Sequence, residues 1–355
     1  MRRPFIYGEL AQDENFIDRH EDRKRLKTFL GNGINVMLIS PRRWGKSSLV
    51  KATMKEMLKE DKKVRVCFVD AFKITSEADF YNAYATAVFN GVSSSIDKGI
   101  EVFRKYVQAL SPSITIKSAE DILNLPEKIA EQRGLQVIVC IDEFQNLANL
   151  SEWKRIEGML RSVWQQHQHT TYCLYGSKRH MMLDIFNNSS NPFYRFGQVM
   201  YLDKIAKDYW IPYIIDTFKK SGKTISREAA ERICDVVDCH SWYVQQLSFF
   251  VWADTEDNAT LEMVENALLS VIDTNRPVFE SDAEKLSSSQ MAMLHAVANG
   301  ESRLNSSEVV NRYQLGGPQT ITRNKRVLVE KDIIEKRGNG FDFVDPLFRQ
   351  WIIRG

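Results

Sequence analysis

The sequence predicts an α/β core built on a parallel sheet, followed by an α-helical segment and a small C-terminal domain of helices and a β-hairpin. The core is expected over residues 1–202, where short apolar runs alternate with longer helical patterns. Residues 203–280 show helical periodicity alone, and residues 285–355 show three helical patterns and then a hairpin pattern. Polar residues around Ser287–Ser289 mark the predicted linker into the last domain.

Length and composition fit this division. The chain has 355 residues, enough for two or three domains, and its 43% hydrophobic and 26% charged residues are ordinary for a globular protein. The longest clean apolar runs, such as Val137–Ile141, are far shorter than the ~20 residues that cross a bilayer. Because no apolar segment follows the basic start, we expect a cytoplasmic protein with no membrane partner.

The charge balance excludes a protein that coats nucleic acid along its whole surface. Lys and Arg number 48 and Asp and Glu 46, so the formal net charge is +2. A local basic face is still compatible with this total.

The five cysteines suit structural thiols better than a metal site. Cys67, Cys140 and Cys173 lie in apolar strand-like runs, where a thiol behaves as a small hydrophobe. Cys234 and Cys239 are close together on a predicted helix, with no second pair to complete a metal site.

Continuous apolar runs, rather than alternating ones, mark the strands of the core. Such runs are typical of strands covered on both faces, as in a parallel sheet wrapped by helices. The predicted strands are Asn35–Ile39, Val64–Asp70, Leu135–Ile141, Thr171–Tyr175 and Val199–Leu202. The segments Ser76–Ser95 and Glu152–Gln168 can supply crossover helices.

The segment after the first strand matches most of the phosphate-binding template G-x-x-x-x-G-K-[ST]. Gly45, Lys46 and Ser47 match it, and Ser40 stands where the first glycine belongs. Serine suits that place if its φ is negative. The candidate phosphate-binding residues are Ser40, Pro41, Arg42, Arg43, Trp44, Gly45, Lys46, Ser47 and Ser48.

The residue types explain how such a loop holds phosphates. Successive backbone N–H groups and the helix N-terminus form a positive nest, which Gly45 lets a ligand approach closely. Lys46 reaches the β- and γ-phosphates, and the Ser47 hydroxyl coordinates Mg²⁺. The alternative interpretation is a basic turn between a strand and a helix.

Two acids at the end of the third strand supply a second element. Asp142 would hold Mg²⁺ with Ser47, and Glu143 would polarise the attacking water as a general base. The alternative is a strand capped by two solvated acids. Because ligands bind at the carboxyl edge of an open parallel sheet, the two elements together predict ATP or ADP with Mg²⁺.

With these residues in hand, the chain resembles a prokaryotic ATPase family that is abundant in archaea and belongs to the AAA+ and STAND-like P-loop ATPases. The opening Phe16–Leu26, the basic P-loop and the pattern Ile141–Gln145 carry the resemblance, and Phe343–Ile352 is similar to the family's closing motif. The resemblance implies a P-loop NTPase core of the AAA+/ASCE type, an α-helical lid and a C-terminal winged-helix domain.

The resemblance also implies roles for individual residues. Phe16 and Arg19 would flank the adenine. Ser177 would be a polar sensor beside the attacking water, with an ordinary Gly-Ser turn as the alternative. Arg195 would be an arginine finger, with a structural ion pair as the alternative.

The last domain has a winged-helix outline with a local basic excess. Residues 316–340 contain six basic and three acidic side chains. The candidates for DNA phosphates are Arg323, Lys325, Arg326, Lys336 and Arg337. The alternative is a solvated helix face on a domain used for protein contacts or nucleotide sensing.

We therefore expect an ATPase that acts as a nucleotide-dependent conformational switch. Two other hypotheses stay open: a DNA-binding, initiator-like or mobile-element ATPase, and a STAND-like regulatory or defence scaffold with slow or no hydrolysis. Such ATPases act in trans, so the resemblance implies nucleotide-dependent self-association.

Overall fold

Five parallel strands form the central sheet of the computed structural model, which describes residues 3–8, 17–92 and 116–354. The strands are β1 (Val36–Ile39), β2 (Val64–Asp70), β3 (Gln136–Asp142), β4 (Thr170–Gly176) and β5 (Gln198–Tyr201). Their spatial order is β2-β3-β4-β1-β5. Each strand begins and ends within one residue of its predicted bounds, so the parallel α/β core is confirmed.

Helices cover the sheet, as the buried strands require. They are α1 (His20–Gly31), α2 (Lys46–Glu60), α3 (Glu77–Val92), α4 (Ile116–Leu123), α5 (Leu125–Arg133), α6 (Trp153–Trp164) and α7 (Arg179–Asn187). Short 3₁₀ turns follow β2 and β3, at Ala71–Lys73 and Phe144–Asn149. All residues of β1 and β4 are buried, as continuous apolar runs predict for central strands.

The strand register brings the functional candidates to one edge. Ile39 of β1 lies beside Gly176 of β4, and Asp70 of β2 lies beside Asp142 of β3. Because all the strands are parallel, the residues that follow β1, β3 and β4 leave the sheet at the same carboxyl edge.

The rest of the chain is mainly helical. Its helices are α8 (Lys207–Lys220), α9 (Arg227–Val236), α10 (Ser241–Asp254), α11 (Leu261–Glu284), α12 (Ser288–Ala298), α13 (Ser307–Tyr313), α14 (Pro318–Glu330) and α15 (Pro346–Arg354). Its strands are the parallel pair β6 (Thr224–Ile225) and β7 (Asn258–Ala259) and the antiparallel hairpin β8 (Ile334–Arg337) and β9 (Gly340–Phe343). Within the described ranges, no helix has both the length and the apolar character that a membrane span needs.

The described residues form two compact units: Arg19–Asp203, and the residues before Arg19 together with those after Asp203. The described residues before Arg19 thus lie in the second unit, whereas the prediction assigned residues 1–202 to the core. Phe5 is fully buried in the second unit, where its ring contacts Tyr213 and Phe218. Because no periodic pattern surrounds this buried aromatic residue, its placement could not be predicted from the sequence.

Helices α8–α11 and the C-terminal elements from α12 onward share one hydrophobic cluster in this second unit. Helix α11 runs continuously across the predicted end of the lid at residue 280. Near its end, Phe279 contacts Phe348 and Trp351 of α15. Because the described residues of 203–280 and 285–355 lie almost entirely in one compact unit, their division into two domains stays a prediction.

Candidate nucleotide site

The loop between β1 and α2 presents backbone amides at the carboxyl edge of the sheet. Gly45 precedes α2 with φ +96°, a left-handed conformation that glycine adopts at little cost. Ser40 is buried and has no positive φ, so serine fits the place of the first template glycine without backbone strain. The first N–H groups of α2 have no intrahelical acceptor, which makes this helix start a natural anion site.

The other loop residues divide into buried and exposed ones. Pro41, Trp44 and Ser48 are buried and shape the loop. Arg42 and Arg43 are exposed, and Arg43 has φ +66°. The loop therefore places two guanidinium groups on its solvent side and keeps its apolar residues inside.

Lys46, the first residue of α2, forms an ion pair with Glu143. Its Nζ lies 3.0 Å from Glu143 Oε1, and the two side chains are 7% and 19% exposed. The template lysine and the predicted general base thus face one another across the strand ends.

Asp142 and Ser47 form the second predicted contact across this edge. The Ser47 hydroxyl donates to Asp142 Oδ2 at 2.8 Å, and Asp142 Oδ1 accepts the Glu143 backbone N–H at 2.9 Å. Burial raises the pKa of Asp142, although the positive charge of Lys46 opposes this. A carboxylate and a hydroxyl oxygen at this distance are a donor set that Mg²⁺ accepts, so Ser47 and Asp142 fit the implied ion.

Glu143 is held by side chains from two further positions. Its Oε2 accepts hydrogen bonds from Ser177 Oγ at 2.7 Å and from Gln145 Nε2 at 2.5 Å. Burial raises the pKa of Glu143, but Lys46 and these hydrogen bonds outweigh burial and hold the pKa below its usual value. The carboxylate is therefore ionised at neutral pH, as a proton acceptor must be.

Gln145 belongs to the sequence pattern Ile141–Gln145, but no role is predicted for it from the sequence. Its side chain is fully buried, and it lies directly over Gly176 at the end of β4. A Cβ placed on Gly176 would come within 1.9 Å of Gln145 Oε1. Gly176 therefore leaves the space in which Gln145 reaches Glu143. The Gly-Ser pair at the end of β4 was the sequence signal that could have indicated this contact.

The two residues expected beside the adenine are placed differently. Phe16 lies outside the described residues. Arg19 is buried, donates to the Trp44 backbone oxygen at 3.1 Å and pairs with Asp22 at 3.1 Å. Its guanidinium therefore holds the phosphate loop through the Trp44 carbonyl. The role of Arg19 beside the adenine stays a prediction.

Arg195 lies away from this site. It precedes β5, and the first residue of β5, Gln198, is in register with Val36 at the start of β1. Arg195 is therefore at the amino edge of the sheet, opposite the phosphate loop, where it is exposed and stacks over Tyr194. It is not brought together with Lys46 and Glu143 of its own chain.

The basic residues of the last domain that were predicted to contact DNA differ in their exposure and in their contacts. Arg323 and Lys336 are exposed. Arg337 is tied to Asp238 and Asp342 at 2.7 and 2.9 Å, and Arg326 lies 3.7 Å from Glu330. Lys325 is half-buried over the ring of Phe341. Of the five basic residues predicted to contact DNA phosphates, only Arg323 and Lys336 are therefore exposed without one of these contacts.

A parallel sheet in this order, with a lysine and a serine after β1 and two acids at the end of β3, defines a P-loop ATPase. The chain belongs to the family described as "ATPase domain predominantly from Archaea", whose model matches residues 16–247. A second model, described as "Probable winged helix domain", matches residues 277–354. The predicted family and the C-terminal winged helix are confirmed.

Solved structures show the same fold at low sequence identity. The Walker-type ATPase PABY2304 of Pyrococcus abyssi is 16% identical with a TM-score of 0.75, over 99% of both chains. The ORC2 protein of Aeropyrum pernix in ADPNP–ADP complexes is 14% identical with a TM-score of 0.62, over 99% of this chain and 97% of that one. The ORC1 protein of Aeropyrum pernix in complex with DNA is 11% identical with a TM-score of 0.53, over 96% and 94%. A search of curated proteins found no significant match.

Proposed function

We propose that this protein binds ATP with Mg²⁺, hydrolyses it and acts as a nucleotide-dependent conformational switch. The observation that carries the proposal is the environment of Glu143. An ionised carboxylate is held beside the template lysine by Ser177 and Gln145, at the edge where the phosphate loop opens.

Each residue then has a role in the proposed reaction. The loop amides and Lys46 bind the phosphates, while Ser47 and Asp142 hold Mg²⁺, which when bound neutralises charge on the phosphate oxygens. Glu143 accepts the proton of the attacking water. Since phosphates attract the Lys46 ammonium, nucleotide binding would weaken its pairing with Glu143 and leave Oε1 available to the water.

The test compares Glu143→Gln with Lys46→Ala. We expect Glu143→Gln to bind ATP but to lose at least about 100-fold in phosphate release, because the amide cannot accept the proton. Lys46→Ala should lose nucleotide binding itself, measured by titration with a fluorescent ATP analogue.

Lys128→Ala is the matched control for the lost lysine charge, since Lys128 is 56% exposed on α5 and pairs with Asp121. It should behave as the unchanged protein. Normal turnover by Glu143→Gln would reject the assigned base, and tight ATP binding without turnover in the unchanged protein would favour the scaffold hypothesis.

A second candidate function is DNA binding by the C-terminal domain. It is supported by the exposed Arg323 on α14 and Lys336 on the β8–β9 hairpin, the wing, and by the fold shared with a protein solved with DNA. Arg323→Ala with Lys336→Ala should weaken binding to duplex DNA and reduce its salt slope by about 2. Arg227→Ala, 71% exposed on α9, is the control. No binding at low salt, with or without ATP, would reject this function.

A further inference from the structure

The turn after α9 brings Cys234 and Cys239 into contact. Cys239 N–H donates to the Cys234 carbonyl at 2.8 Å, and Asp238 N–H donates to the Asp235 carbonyl at 3.2 Å. This pair of bonds is a Schellman motif, and Asp238 and Cys239 have φ of 45° and 52°. The motif folds the residue after the turn back onto the last helical turn, so Cys239 lies beside Cys234.

The two thiols differ in access and in acidity. Cys234 is fully buried, whereas Cys239 is half-buried and reached by solvent. The neighbouring Cys234 thiol lowers the pKa of Cys239; burial and Asp238 oppose this, and the nearby Lys204 and Lys207 reinforce it. The neighbouring Cys239 thiol, together with burial, raises the pKa of Cys234. Cys239 is thus the thiol that ionises first.

A second thiol pair in the same chain lacks these features. Cys140 of β3 and Cys173 of β4 are in register on adjacent strands, but both are fully buried. Burial raises the pKa of Cys140, and it also raises the pKa of the buried Cys67 to about 12. These thiols are protected from water-borne reagents and serve as an internal comparison.

We propose that Cys239 and Cys234 are a peroxide-reactive dithiol site that closes to a disulfide. The Cys239 thiolate attacks one oxygen of the peroxide, the O–O bond breaks, and Cys239 becomes a sulfenic acid while the other oxygen leaves as hydroxide or alkoxide. Cys234 sulfur then attacks the sulfenic sulfur. An S–S bond forms, the S–O bond breaks, and the released oxygen takes the Cys234 proton and leaves as water. Two thiols are oxidised and one peroxide is reduced.

The position of the pair gives this modification a structural consequence. Asp238, between the two cysteines, pairs with Lys204 at the start of the helical unit and with Arg337 of β8. The disulfide therefore fixes the backbone of the turn on which the wing is anchored.

The experiment treats the full-length protein with limiting hydrogen peroxide, alkylates the remaining thiols and measures each cysteine by peptide mass spectrometry. Cys234 and Cys239 should lose two hydrogens together and escape alkylation, at least about tenfold faster than Cys140 and Cys173 become oxidised. Oxidation of the four thiols at equal rates, or of none of them, would overturn the proposal.

Two variants separate the attacking thiol from the resolving one. Cys234→Ala should stop at a sulfenic acid on Cys239 that a dimedone probe captures. Cys239→Ser, at the half-buried position, should leave Cys234 reduced. Dimedone labelling of Cys234 in the Cys239→Ser protein would contradict the assigned order. If the Cys234→Ala variant fails to fold, the oxidation rates of the four thiols in the unchanged protein still test the proposal.

Discussion

Glu143 shows how a single residue acquires its chemistry from its neighbours. Its backbone is left-handed, with φ +51°, and its carboxylate accepts hydrogen bonds from Lys46, Ser177 and Gln145. A free glutamate would swing between rotamers, whereas three donors fix both oxygens and keep the group ionised despite its burial. The proposed role of Glu143 as general base therefore depends on the whole cluster.

Gly176→Ala tests this arrangement without changing any polar group. The new Cβ would meet Gln145 Oε1 at 1.9 Å, so Gln145 must move and its hydrogen bond to Glu143 must lengthen or break. We expect kcat for ATP hydrolysis to fall by about tenfold or more, with a smaller change in ATP affinity.

Gly158→Ala on α6 is the control, because no atom lies within 4 Å of its added Cβ. It should leave kcat unchanged and raise the free energy of unfolding by about 0.5–1 kcal/mol. Full activity in Gly176→Ala would show that Gln145 does not position Glu143.

At the scale of elements, a buried polar and aromatic cluster joins β4 to the helices that cover it. His167, just after α6, contacts Tyr172 of β4 through Nδ1 at 2.8 Å and Asn124 through Nε2 at 3.1 Å. Tyr172 stacks on Trp164 of α6 at 4.2 Å. These contacts suit a neutral imidazole, which donates to the Asn124 oxygen and accepts from the Tyr172 hydroxyl.

The charge state of His167 makes stability depend on pH. Burial lowers the pKa of His167 from 6.5 to about 4, although Glu127 nearby opposes this. Between these two values the unfolded chain binds a proton that the folded chain does not, so stability falls as pH falls. We expect roughly 2 kcal/mol of this loss between pH 7 and 4.5, allowing for partial exposure.

Urea unfolding at several pH values measures this effect. His167→Gln should flatten the dependence because glutamine does not titrate, while His295→Gln, exposed on α12, should not. An equal pH slope in the unchanged protein and His167→Gln would rule out His167 as the cause.

At the scale of the whole molecule, Arg195 indicates how copies of the chain would cooperate. Since it lies at the sheet edge opposite its own phosphate loop, any role in hydrolysis requires a second copy. If Arg195 has that role, we expect the protein to self-associate with ATP. Size-exclusion chromatography with ADP and with a slowly hydrolysed ATP analogue measures this.

Mixing inactive variants tests the role of Arg195 in trans. Arg195→Ala should lose about tenfold or more in kcat, because the guanidinium would neutralise phosphate charge in the transition state. Added Glu143→Gln protein supplies Arg195 from a copy that is itself inactive, so ATP hydrolysis should recover.

The control mixes Glu143→Gln with the double variant Arg195→Ala/Glu143→Gln. No site in that mixture has both a base and a neighbouring arginine, so it should stay inactive. Failure of the first mixture to recover, while both proteins still associate, would leave Arg195 as a structural residue.

The sequence by itself determined the sheet and the ends of its strands. Continuous apolar runs such as Val137–Ile141 fix central strands because both faces must be buried, and the loop residues Gly45–Ser47 follow a template set by phosphate chemistry. It also placed Asp142 and Glu143 at a strand end, next to the loop.

Only the tertiary structure decided which side chains meet. Gln145 beside Gly176, Phe5 in the helical unit and Arg195 at the far edge all depend on contacts between segments that local patterns do not encode. Periodicity reports which face of an element is buried, whereas partners are chosen by register and packing, which involve the whole chain at once.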